Sequence, residues 1–153
     1  MPNTYTQIHI QYVFAVKYRT GLIQKDWKNE LYKYITGIIQ NQNHKLLAIN
    51  GMADHIHILI GLRPNQSISD LAKSIKQNSS LWVNEQKLSK GKFAWQEGYG
   101  AFSYARSNID KVIKYIENQE EHHRKKSFLE EYTDFLKAFE IEYEEKYSFK
   151  PLE

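Results

Sequence analysis

Two histidines, His55 and His57, alternate with aliphatic residues in the run His55-Ile56-His57-Ile58-Leu59-Ile60. Side chains two apart on a strand share a face, so the imidazoles stand side by side while Ile56, Ile58 and Ile60 enter the core. Two adjacent nitrogen donors suit a divalent metal ion. Farther along, Tyr115 and Gln119 are one helical turn apart, and at about 100° per residue Tyr115, Gln119 and His122 fall within roughly 60° of one another. A phenol can act as a covalent nucleophile, and an amide oxygen can complete the coordination of a hard divalent ion. A histidine pair with Tyr-x-x-x-Gln therefore reads as a phosphoryl-transfer site.

Each feature alone also has an ordinary explanation. Alternating histidines occur on partly exposed sheets, and a chain with 11 tyrosines uses most of them for packing. Tyr12, Tyr99 and Tyr104 are expected in the sheet, with Tyr99 or Phe102 available to stack on an unpaired base. Strand alternation turns Asp54 away from the face of His55, so it is expected to form the turn; it is also a candidate to support a ligand from behind. His122 shares the Tyr115 patch and is a candidate for contact with phosphate or metal, whereas His123 leans towards the apolar stripe. Either imidazole can simply finish a helix, where its positive form complements the dipole.

The elements that must carry these residues follow from periodicity. Thr4 to Val16 reads as a strand with Ile8, Ile10, Tyr12 and Phe14 on one side and His9, Gln11, Val13 and Ala15 on the other. Trp27, Leu31, Tyr34, Ile35, Ile38 and Ile39 predict a helix over 24–43. Lys45 to Asn50 and His55 to Gly61 are strands joined by Gly51-Met52-Ala53-Asp54, which suits a hairpin. Ser67 with Asp70 resembles a capping box opening a second helix that ends near Leu88. Phe93 to Ala105 reads as a glycine-interrupted strand region. Ser107 or Asn108 can cap a third helix, with Ile109, Val112, Ile113 and Ile116 on one stripe, running through Gln119 into His122-His123. A last, acidic helix is expected over about 128–145. The order is that of an α+β fold of ferredoxin-like type, an antiparallel sheet covered by helices.

At 153 residues, one domain over 1–153 is expected. A hydrophobic content of 41% with 14% aromatic residues argues for packed structure. The absence of cysteine excludes disulfides and thiolate metal sites and fits a reducing compartment, so the cytoplasm is the expected location. No basic region followed by an apolar run opens the chain, and no stretch approaches the roughly 18 apolar residues of a membrane span; no membrane partner is expected. The net charge of +3 is small, yet positive residues cluster at Lys17 and Arg19, Lys73 and Lys76, Lys87 to Lys92, Arg106 to Lys114 and Arg124 to Lys126, away from the acidic stretch Glu130 to Glu145. That separation leaves room for a cationic groove, with Lys17, Arg19, Lys73, Lys76, Arg106 and Arg124 as candidate DNA contacts.

Asp54-His55-Ile56-His57-Ile58-Leu59, Trp95-Gln96-Glu97-Gly98-Tyr99-Gly100-Ala101-Phe102-Ser103, Tyr115-Ile116-Glu117-Asn118-Gln119 and Gln119-Glu120-Glu121-His122-His123 together resemble the single-tyrosine HUH transposases of small bacterial insertion sequences, and also the related REP-associated tyrosine transposases. The resemblance runs from about Tyr5 to Phe128. It implies a ferredoxin-like fold, a homodimer, and cleavage and rejoining of single-stranded DNA next to hairpins. By the same resemblance His55, His57 and Gln119 bind Mg²⁺ or Mn²⁺, and Tyr115 attacks the scissile phosphate to give a 5′-phosphotyrosine and a free 3′-hydroxyl. It further implies active sites that subunits of a dimer can share. Two other functions use the same residues differently. A domesticated hairpin-DNA-binding protein or regulator would keep the fold without transposing, and a metal-dependent phosphodiesterase would use water and release its product.

Overall fold

The computed structural model describes residues 3–142 and 149–153. Strand β1 spans His9–Ala15, and its strict alternation puts Ile10, Tyr12 and Phe14 on one face and Gln11, Val13 and Ala15 on the other. The Lys28–Asn41 helix, α1, begins after Trp27, whose own side chain is buried under it. Strands β2 (Lys45–Met52) and β3 (His55–Gly61) form the expected hairpin, with pairing that continues to Met52 opposite His55, so the turn is only Ala53-Asp54. Helix α2 spans Ile68–Glu85, and Ser67 caps it by accepting the Asp70 amide at 3.0 Å.

The region 93–105 contributes less strand than its pattern suggests. Only β4, Gly100–Ser103, is regular, while Trp95 makes an isolated bridge to Val16. The sheet order is β2-β3-β1-β4 with every neighbouring pair antiparallel, which is the ferredoxin-like arrangement. Helices α1 and α2 cover the face carrying Tyr12, Phe14, Ile56, Ile58 and Ile60.

Three further helices cover the opposite face. The expected third helix is divided at Asn118 (φ −98°, ψ 28°) into α3, Ile109–Glu117, and α4, Gln119–His123. Asn50 of β2 donates to the carbonyls of Ile116 and Glu117 at 3.1 and 3.0 Å, satisfying groups that a helix end leaves open and holding that end against the sheet. Ile109, Val112 and Ile116 pack on Ala48 and Leu59. Helix α5 spans Phe128–Ala138, with Ser127 accepting the Glu130 amide. Its described part is shorter than the acidic helix expected over 128–145; it ends at Ala138, Glu140 takes a left-handed φ of 55°, and positions 143–145 lie outside the described residues. Phe128, Tyr132 and Leu136 bury against Val13, Ala15 and Phe102, so the helix covers the sheet. None of the described helices is long and apolar enough to cross a membrane.

Candidate active site

Strand β3 places His55 and His57 on the face covered by α3, α4 and α5, and both rings are fully buried. Register sets them opposite Ala15 and Val13 of β1 and Met52 and Asn50 of β2. Gly51 is needed beside them: a Cβ there would lie 2.1 Å from the His55 carbonyl oxygen. The ring of Phe128 stacks on His55 at 4.1 Å and 12°.

Both imidazoles are oriented from behind. Asp54 Oδ1 lies 2.7 Å from His55 Nδ1; a carboxylate only accepts, so Nδ1 carries the hydrogen and Nε2 faces the site. Gln11 Nε2 donates to His57 Nδ1 at 2.7 Å, while Gln11 Oε1 accepts from the Tyr104 hydroxyl at 2.8 Å. With the Gln11 amide so placed, His57 presents an N–H at Nε2, directed at Glu131 Oε1 3.0 Å away; turning the amide over would move that hydrogen to Nδ1 and free Nε2 to ligate.

Glu131 is the group on which the site converges. Its carboxylate comes from α5, is 4% exposed, and accepts from the Tyr115 hydroxyl and from Gln119 Nε2. Oε1 lies 3.5 Å from His55 Nε2 and 3.3 Å from His123 Nε2. Gln119, fully buried, brings Oε1 to 3.0 Å from His55 Nε2. His55, His57 and Glu131 form a cluster whose ligand atoms all lie within 4.8 Å of one another. Two imidazole nitrogens, a carboxylate oxygen and an amide oxygen, all buried, match the donors that hold a divalent ion in an oxygen and nitrogen site.

The electrostatics are those of a concentrated negative charge among imidazoles. Burial would raise the Glu131 carboxyl, but its hydrogen bonds to His123, His55 and His57 hold it well below the usual carboxylate range. Burial would lower His55, yet the bonds to Asp54 and Glu131 prevail and push it up to about 9. Burial keeps His57 below its ordinary value. For Tyr115, burial and the neighbouring Glu131 charge both hold the phenol proton on, well above the usual tyrosine range.

Tyr115 lies beside the histidines of its own chain, its ring centroid 6.1 Å from that of His57. His122 stacks on it at 4.3 Å and 23°, with its Nε2 buried and unpartnered in the described residues. His123, not His122, reaches the polar centre, because the break at Asn118 rotates α4 away from the wheel that a continuous helix would follow. A cavity of about 860 Å³ opens on Tyr115 and is bordered by Lys111, Lys125 and Lys126.

The six candidate DNA contacts take different roles in the fold. Lys76 donates to the carbonyls of Gln96 and Gly98, both at 2.7 Å, tying α2 to the 96–98 loop. Lys17 lies over the Tyr18 ring at 5.3 Å, and Arg124 pairs with Glu121 at 3.2 Å. Arg19, Lys73 and Arg106 are exposed. None of the six lines the cavity at Tyr115.

Sequence reasoning missed Glu131, Gln11 and His123. A signal for Glu131 was present: it falls between Phe128, Tyr132 and Phe135 at spacings of three, one and four, a carboxylate inside an apolar stripe. Gln11 shares its inward face with Val13 and Ala15, which marks a buried amide.

A profile for the family described as IS200-like transposase matches residues 4–119. The ISDra2 transposase TnpA of Deinococcus radiodurans is 25% identical over 118 residues, covering 74% of this chain and 84% of that protein. The transposase for insertion sequence element IS200 of Salmonella typhimurium is 29% identical over 113 residues, covering 70% and 73%. Among solved structures, a candidate transposase from Deinococcus radiodurans superimposes with a TM-score of 0.61 at 22% identity, covering 78% of this chain and 95% of that one. A REP-associated tyrosine transposase bound to a REP hairpin superimposes with a TM-score of 0.59 at 13% identity, covering 80% and 73%; these two likenesses speak for the fold.

Proposed function

The chain belongs to the family of IS200-like transposases, and from that footing we propose that it cleaves and rejoins single-stranded DNA beside hairpins, using Tyr115 as nucleophile and a divalent cation held by His55, His57, Gln119 and Glu131. The observation that carries this reading is the meeting of the Tyr115 hydroxyl, the Gln119 amide and both imidazoles on one buried carboxylate. Hairpin DNA as substrate is supported by the structural relative described as bound to a REP hairpin.

In the proposed step the Tyr115 oxygen bonds to the scissile phosphorus and the bond from phosphorus to the 3′ oxygen breaks. The phenol gives up its proton, and the departing oxygen takes one up as a free 3′-hydroxyl. One phosphoester replaces another, so a second 3′-hydroxyl can reverse the step without a nucleotide cofactor. When bound, Mg²⁺ or Mn²⁺ would supply Lewis-acid polarisation of the phosphate. The chain's own residues do the positioning. His122 fixes the plane of the Tyr115 ring, Asp54 and Gln11 orient the two histidines, and Lys111, Lys125 and Lys126 border the cavity through which a DNA backbone reaches the phenol. The arrangement supports attack in cis, since Tyr115 and the histidines approach within one chain.

The test is incubation of the full chain with hairpin-bearing single strands and Mn²⁺, followed by denaturing electrophoresis. A protein–DNA adduct that resists denaturation is expected in wild type and absent in Tyr115→Phe. An adduct that persists in Tyr115→Phe refutes the nucleophile, and hairpin binding with no adduct in wild type refutes the enzymatic reading in favour of a regulator.

A further inference from the structure

His123 closes α4 and presents a ring whose side chain is 7% exposed. Its Nδ1 lies 2.8 Å from the Lys126 carbonyl oxygen. A carbonyl only accepts, so Nδ1 carries the hydrogen and the neutral ring keeps a lone pair at Nε2. That lone pair points at two further acceptors, Gln119 Oε1 at 3.1 Å and Glu131 Oε1 at 3.3 Å. The Gln119 amide cannot relieve this by turning over, because its Nε2 already donates to Glu131 Oε2 at 3.2 Å.

Neutral His55 is in the same position. Its Nδ1 hydrogen is given to Asp54, and its Nε2 lies 3.0 Å from the same Gln119 oxygen. The two rings are 4.7 Å apart. With both rings neutral, two imidazole lone pairs and two oxygens face one another, a repulsive set that either protons on the rings or one cation placed among them would satisfy. A backbone carbonyl bound at Nδ1 with Nε2 turned to the site is also the bonding pattern of metal-ligating histidines.

The geometry points to His123 as a third imidazole ligand of the cation held by His55 and His57, making the centre selective for borderline transition ions such as Co²⁺ or Zn²⁺ over Mg²⁺. This rests on the cation site of the proposed function and specifies its donors. Imidazole favours the later first-row ions, whereas an oxygen-only set suits Mg²⁺.

The experiment measures Co²⁺ and Mg²⁺ binding to the full chain by calorimetry, together with the visible absorption of bound Co²⁺, in wild type, His57→Ala, His123→Ala and His123→Gln. Loss of a partner behind a metal ligand costs 10–100-fold in affinity, so removal of a ligand itself is expected to weaken Co²⁺ by at least about 100-fold. Mg²⁺ binding is expected to change by less than about 3-fold, in keeping with its weak use of nitrogen. The Co²⁺ spectrum is expected to shift in both His123 variants. Unchanged Co²⁺ affinity and spectrum in both, with binding lost in His57→Ala, overturn the assignment and leave the proposed function standing. Failure of wild type to bind any of these ions overturns both. Should His123→Ala fail to fold, ring ¹⁵N shifts of wild type on Zn²⁺ addition decide: the Nε2 resonance of His123 moves with those of His55 and His57, and a stationary one refutes the ligand.

Discussion

Replacing Glu131 by alanine removes the one negative group at the centre of the buried cluster, and its consequence can be worked from the contacts. In the cation-free protein the variant leaves the Tyr115 hydroxyl, the Gln119 amide and the His57 Nε2 hydrogen without an acceptor, and it leaves a charged His55 facing no counterion on that side. Breaking a buried ion pair by deleting one partner costs roughly 3–5 kcal/mol. For a chain of this size each kcal/mol moves the melting temperature by about 2–4 °C, so a drop of about 6–20 °C is expected for Glu131→Ala in EDTA. Glu131→Gln keeps the shape and one acceptor oxygen, and its loss of a charged hydrogen bond is expected to cost about 1.5–3 kcal/mol. The assay is thermal unfolding of wild type and both variants in EDTA at neutral pH, with urea unfolding to convert midpoints to free energy. A Glu131→Ala variant that melts within about 2 °C of wild type would show that the carboxylate is not buried among charged imidazoles, and the account of the site would fall with it.

Three other outcomes are expected. In EDTA, His55, raised from 6.5 to about 9 on folding, stabilises the protein fully below pH 6.5, and that contribution disappears as pH climbs through about 9; His57, held below its ordinary value, gives the opposite slope as pH falls below 6.5. Urea midpoints should therefore decline on both sides, and Asp54→Asn should flatten the alkaline side; a wild-type midpoint that rises from pH 7 to 9 contradicts the pairing of His55. Gly51→Ala forces a methyl to 2.1 Å from the His55 carbonyl, so the hairpin must part there, and loss of both stability and Mn²⁺ binding is expected by unfolding and calorimetry; wild-type behaviour in both refutes the close approach. Phe128→Ala removes the ring stacked on His55 and opens a cavity costing about 3–5 kcal/mol, to be read as a urea midpoint shift without change in slope, and a shift under about 1 kcal/mol would refute its core role.

The elements were legible wherever one face of a regular segment meets the core. Alternation in His9–Ala15 and His55–Gly61 and the stripes of α1 and α2 each follow from a single period, and burial of Ile56, Ile58 and Ile60 dictates the face of His55 and His57. The strand expected over 93–105 shrank to four residues because its aromatics serve two purposes. Phe93 and Trp95 plug the main core from a loop, held there by the Asn84 and Ser79 side chains. The last helix shows its apolar stripe of Phe128, Tyr132 and Leu136 locally, but not which surface that stripe covers.

The order of apolar and polar residues along the chain was enough to identify a ferredoxin-like sheet, two neighbouring imidazoles and a tyrosine one turn from a glutamine, since periodicity and spacing are local properties. It could not say that Glu131, seventy-four residues from His57, would supply the charge between them, or that His123 would replace His122 at the centre. Those outcomes depend on how α4 turns at Asn118 and where α5 docks, and docking is decided by the summed burial of Phe128, Tyr132 and Leu136 against Val13, Ala15 and Phe102. No single segment encodes that sum, so the carboxylate's place exists only once the layers have closed.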